Sequence, residues 1–157
     1  MGAQDNLTNV LAVMLGVSVG AGRADVVALA GVAAAVAEAV SMGGVLYSAT
    51  RAEENRRRQA GAGRPEGVGL SPVQSGVMTF VAALLGGMVP LAPFAALAMP
   101  GAVVASIVIS LVALFALGSW TGRITGAVWW RDGLRLLAVA GAAAVAAAVV
   151  GTVLRVD

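Results

Sequence analysis

From Val26 to Tyr47 the chain runs for 22 residues with a single charge, Glu38. About 20 consecutive apolar residues are enough to cross the hydrocarbon core of a bilayer, where only a helix or a closed barrel satisfies its own backbone. The run therefore predicts a membrane-spanning helix. Four more apolar stretches accompany it: Leu7–Gly20, Val73 toward Met99, Ala102–Gly118 and Leu136–Leu154. In the third, Pro90 and Pro93 predict a helix that stops or kinks near Val89. Composition agrees, since 59 % of the 157 residues are apolar and only 11 % charged, against about a quarter charged in a soluble domain. The expected fold is an all-α integral membrane protein with five transmembrane helices. These fall at about residues 3–21, 25–50, 72–92, 101–121 and 131–155, in one domain over 1–157 with a linker at 51–71.

Charge sets the expected orientation. Arg51, Arg56, Arg57, Arg58 and Arg64 follow the second stretch, and Arg123, Arg131 and Arg135 surround the start of the fifth. Arginine-rich loops stay cytoplasmic, which predicts a cytoplasmic N-terminus and a C-terminus outside. Tyr47, Trp120, Trp129 and Trp130 lie near the same ends of the stretches, as an aromatic belt would. All ten basic residues are Arg, in an Ala-, Gly- and Val-rich chain. That bias suggests a GC-rich prokaryotic genome, hence a multi-pass protein of the cytoplasmic membrane. The pI near 10.4 reflects these helix-end arginines, so nucleic acid is not an expected partner. No basic segment precedes the first stretch, so no cleaved signal peptide is expected.

There is no Cys and no His, which excludes disulfides, zinc–thiolate sites and imidazole chemistry. No nucleophile–base pair, phosphate loop or dinucleotide fingerprint is present, and an enzyme is not expected. Any ion chemistry falls to carboxylates, thioethers, amides and hydroxyls.

Glu38 is the most informative residue, twelve positions into the second stretch. An ionisable group at that depth costs about 3 kcal/mol on insertion scales and ordinarily faces a polar pathway or a partner. Met42 lies one helical turn on, with Ser41 beside it. A carboxylate and a thioether on one face suit a borderline-soft divalent ion better than magnesium or calcium. The alternative is a protonated Glu38 hydrogen-bonded to a neighbouring helix, with Met42 as packing. Asp5 and Asn9, also four apart, either receive a hydrated cation or mark a helix start favoured by the macrodipole. Glu53 and Glu54, ahead of Arg56–Arg58, read as a solvated helix surface with intrahelical pairs or as a weak cytoplasmic capture site for metal. Asp132, between Arg131 and Arg135, reads as a packing feature.

Four segments resemble the vacuolar iron transporter family. GAQDNLTNVLAVMLGV is similar to the family's first helix, AEAVSMGGVLYS to its second-helix signature around Ser-Met, GVMTFVAALLGGMVPLAPF to its third helix ending in Pro-x-x-Pro, and RDGLRLLAVAGAAA to the opening of its last. The resemblance implies a homodimer with an ion pathway lined by first- and second-helix residues. The family's first-helix Asp falls on Asp5 and its second-helix Met on Met42. It further implies export of cytosolic ferrous iron or manganese in exchange for protons. The chain departs from the family pattern at Asn6, where relatives have Gly, at Leu46, where many have a carboxylate, and at Glu38, where many have Gly or Asp. The Glu-rich helical domain of some members has no room between Arg51 and Ser71.

The expected function is export of ferrous iron or manganese across the bilayer by proton antiport, with no tightly bound cofactor. Asp5 and Asn9 would receive the ion, Glu38 and Met42 bind it midway, and Glu38 take up a proton as the metal leaves. Its expected partners are divalent metal ions, protons, the lipid bilayer and a second copy of the chain. Two competing readings are a non-transporting membrane scaffold or accessory subunit and a small efflux protein for organic cations. The second would need aromatic residues around the carboxylate, and the apolar stretches carry few.

Overall fold

A computed structural model gives the structure, which describes residues 2–61 and 69–155. Among these residues the chain is helical, with no strand: α1 (Gly2–Ala21), α2 (Ala24–Gln59), α3 (Pro72–Met88), a 3₁₀ turn at Ala92–Ala95, α4 (Gly101–Ile124) and α5 (Trp129–Val153). Arg64 and the Gly-rich half of the 51–71 linker lie outside the described residues.

Local chemistry accounts for the helix boundaries. Gly22 ends α1 at φ +64° and Gly126 follows α4 at φ +73°, a left-handed conformation that glycine adopts without penalty. Ser71 caps α3: its hydroxyl accepts from the Gln74 N–H at 3.2 Å, and its own N–H donates to Gln74 Oε1 at 3.0 Å. Pro72 supplies the first helical position, where no N–H is required. The third span was expected at about 72–92 with its helix stopping or kinking near Val89, and α3 does end at Met88, since Pro90 lacks an N–H and its ring obstructs the preceding turn. Residues 89–100 then pass through 3₁₀ and turn geometry instead of continuing the span. At the other extreme α2 outruns its apolar stretch by twelve residues, carrying Glu53–Arg58 on a continuous helix to Gln59.

α1 is the hub. It packs against α2, α3, α4 and α5, while α2 packs on α3 and α4 on α5. Val10 and Met14 of α1 meet Val27 and Ala35 of α2 in one buried cluster, and Leu7 meets Leu114 of α4 and Ala140 of α5 in another. Small residues let the backbones approach. A Cβ at Gly16 would lie 2.9 Å from the Ala147 carbonyl of α5, and one at Gly43 would lie 3.0 Å from the Gly76 carbonyl of α3, the contact chemistry of helices in lipid. Large apolar side chains instead point outward, Leu29 at 71 % exposure among them. An outer surface that apolar needs lipid around it.

Length and composition single out α2, α4 and α5 as able to cross a membrane. The other two of the five expected spans fall short for separate reasons. α3 has only 17 residues, and α1 begins with Gln4, Asp5, Asn6, Thr8 and Asn9 in its first two turns. Neighbouring helices engage Asn6 and Gln4 of these, whereas Asp5 and Asn9 stay exposed.

Candidate functional site

The polar start of α1 is fixed in rotation by two side chains. Asn6 is fully buried and donates both amide protons, to the Ala35 carbonyl of α2 at 3.0 Å and the Ala83 carbonyl of α3 at 2.8 Å. Gln4 donates to the Thr121 hydroxyl of α4 at 3.0 Å. With these two turned inward, Asp5 and Asn9 are left on the open side of α1, both exposed. Val13, a further turn on, is exposed too, so positions i, i+4 and i+8 share one uncovered stripe. Farther along, Val13, Gly16 and Gly20 of α1 and Ala147, Val150 and Gly151 of α5 border an apolar groove of about 490 Å³.

On α2, Ala34, Glu38 and Met42 follow one another at four-residue spacing. Ala34 packs on the Val10/Met14 cluster. Met42 lines a pocket of about 500 Å³ with Gly2, Ser41, Val45, Leu46 and Thr79, at the junction of α1, α2 and α3. Glu38, between them, therefore lies on the edge of α2 that borders α1. It is half-buried, and no hydrogen bond or ion pair engages its carboxylate among the described residues.

The four candidate ligands thus sit on two adjoining helices. No cluster of three or more Asp, Glu, His or Cys residues arises among the described residues of one chain. A divalent ion here would be held by two carboxylates at most, supplemented by amide, hydroxyl and thioether donors.

Glu53 and Glu54 are placed differently. Arg57 donates to Glu53 at 2.8 Å and Arg58 to Glu54 at 2.7 Å, each one helical turn away. The hydrogen bond from Arg57, reinforced by its charge, holds the Glu53 carboxyl below the usual range. This is the solvated, internally paired surface that was one of the two readings of the segment. Asp132 is half-buried with Oδ2 turned toward Gly122, where a Cβ would approach within 2.9 Å.

Asn6 is the residue whose role the sequence reading missed. It appeared there only as a departure from a family glycine. The available signal was its register, since Asn6, Val10 and Met14 are spaced four apart on what proves to be the buried face of α1.

A sequence model described as the VIT family matches residues 1–63 and 58–152. The chain belongs to the vacuolar iron transporter family. The two matched stretches of this VIT-family chain meet at the end of α2, where the sequence leaves no space for an inserted folded domain. Membership and the apolar helices together make it a multi-pass membrane protein of a metal-ion transport family. No curated protein matches the chain.

Proposed function

We propose that this VIT-family protein exports ferrous iron or manganese from the cytoplasm in exchange for protons, and that it acts as a transporter and not as an enzyme. The observation that carries the reading is the state of Glu38. A carboxylate half-buried in a span, on the edge facing α1, with no hydrogen bond or ion pair among the described residues, is what a binding step along a pathway requires. The scaffold alternative needs Glu38 to be engaged by a neighbouring helix, and no such bond forms among the described residues.

In this reading the ion reaches Asp5 and Asn9 on the cytoplasmic end of α1, passes to Glu38 and Met42, and leaves as Glu38 takes a proton. Metal and proton compete for one carboxylate, so antiport follows without a second proton site. Two copies meeting across the open face of α1 would bring two sets of these ligands together, raising the carboxylates available to one ion above the pair that a single chain offers. The cytoplasmic membrane of a prokaryote is the proposed location. Its partners are divalent metal, protons, lipid and the second copy. Glu53 and Glu54, already bonded to arginine, are poor candidates for metal capture.

The experiment is ferrous-iron and manganese flux into proteoliposomes under an imposed pH gradient. Met42→Ala is expected to lower flux by roughly tenfold, the scale on which single interactions at metal sites act. Glu38→Gln is expected to abolish the dependence on the gradient. Well-folded protein with no flux of either metal, or Glu38→Gln with flux and pH dependence intact, overturns the assignment.

A further inference from the structure

The arginines of this chain differ in what they touch. Arg57, Arg58 and Arg23 each hold a carboxylate within hydrogen-bond distance. Arg123, Arg131 and Arg135, around the turn between α4 and α5, have no ion pair among the described residues. Two of them lie on aromatic rings instead: the Arg123 guanidinium is 5.4 Å from the centre of the Trp129 ring, and that of Arg131 is 5.2 Å from the Trp130 ring. Arg135 is one turn along α5 from Arg131, on the same side. The only acid in the turn, Asp132, points its Oδ2 toward Gly122 and bonds none of them.

A guanidinium over an indole ring is held by cation–π attraction, and no carboxylate takes the N–H edge of Arg123 or Arg131 among the described residues. That edge forks onto two oxygens of a phosphate. Trp120, Trp129 and Trp130 are all exposed here, and exposed tryptophans on a membrane protein lie at headgroup level. The site therefore offers three uncompensated cations at the depth of lipid phosphates, two of them pre-oriented by rings that anchor in the interface.

We propose that the α4–α5 turn binds the headgroup of an anionic phospholipid, with Arg123, Arg131 and Arg135 as its phosphate ligands. Soluble anions share the phosphate chemistry but gain nothing from the tryptophans, so the lipid is the occupant. The proposal is independent of which metal the protein carries, or whether it carries one.

The chain reports on this site without a label, because its three tryptophans are all at this turn. Protein is reconstituted in phosphatidylcholine vesicles containing brominated phosphatidylglycerol or brominated phosphatidylcholine, and quenching of tryptophan fluorescence gives the relative association of each lipid. The expected preference for phosphatidylglycerol is roughly fivefold for each arginine that reaches the phosphate. Arg123→Gln, Arg131→Gln and Arg135→Gln combined should remove it, with quenching by the neutral lipid unchanged as the control for folding. Arg56→Gln, at the same end of the bundle but off the turn, should leave it intact. Equal quenching by the two lipids in the unaltered protein overturns the proposal. So does a preference that survives the triple substitution or falls equally with Arg56→Gln. A preference abolished by inorganic phosphate overturns the lipid in favour of a soluble anion.

Discussion

Asn6 donates to carbonyls on two different helices while lying on a third, and this decides which way its neighbours face. Rotating α1 far enough to bury Asp5 would break both bonds. Replacement by Asp removes the donors and puts an acceptor against two carbonyls. Asn6→Asp is expected to destabilise the fold more than Asn6→Ala, itself by about 1–3 kcal/mol; unfolding in mixed micelles measures both. An Asn6→Asp protein as stable as the parent would show that the tie contributes nothing. Asp5 and Asn9 were legible in the sequence as a helix-start pair, and Glu38 with Met42 as a turn of one helix. That Asn6 orients the first pair was not legible, because its partners are backbone atoms 29 and 77 residues away.

Among the elements, α2 joins two kinds of helix end to end. Its apolar stretch is held by lipid and by α1 and α3, whereas the segment beyond Tyr47 relies on its own surface. There Arg57 holds the Glu53 carboxyl below its ordinary range through a hydrogen bond and its charge. A carboxyl with a depressed folded-state value stabilises the helix above its unfolded value, and that contribution is lost as pH falls through the folded one. Amide exchange over residues 53–59 should therefore rise in acid, once corrected for intrinsic rates, while residues 26–47 stay protected. Both partners are about half exposed, so the change is modest and reversible, and Glu53→Gln should remove it. Exchange at 53–59 that ignores pH would show that the pairs do not hold the helix. A paired helix surface at Glu53 and Glu54 was legible in the sequence from its charge spacing, as was the stop of α3 before Pro90, although the second span was expected to end at about residue 50. Both are local effects, encoded within a few residues of where they act.

The whole molecule is organised by a helix that composition alone would not select as a span. α1 touches all four others yet leaves Asp5, Asn9 and Val13 uncovered. If two copies meet there, as proposed, a cysteine placed on that stripe faces its counterpart. The chain has no native cysteine, so Val13→Cys should cross-link copies under mild oxidation, and Leu29→Cys, on the outer side of α2, should not. Two monomeric variants would place the contact elsewhere. The order and approximate extent of the helices could be read from apolar runs and charge, but the central position of α1 could not. Centrality depends on which faces meet, and small residues such as Gly16 and Gly151 permit close contact without dictating a partner. The hub has a consequence for biogenesis. The ribosome makes α1 before the helices that shelter it, and Gln4 finds its acceptor on Thr121, 117 residues later in translation. α2, α4 and α5 are apolar enough to enter the bilayer each on its own account. α1 can complete its packing only once α4 and α5, which it touches, have been made. The most N-terminal of the described helices thus has its contacts completed only when the most C-terminal of them has been made.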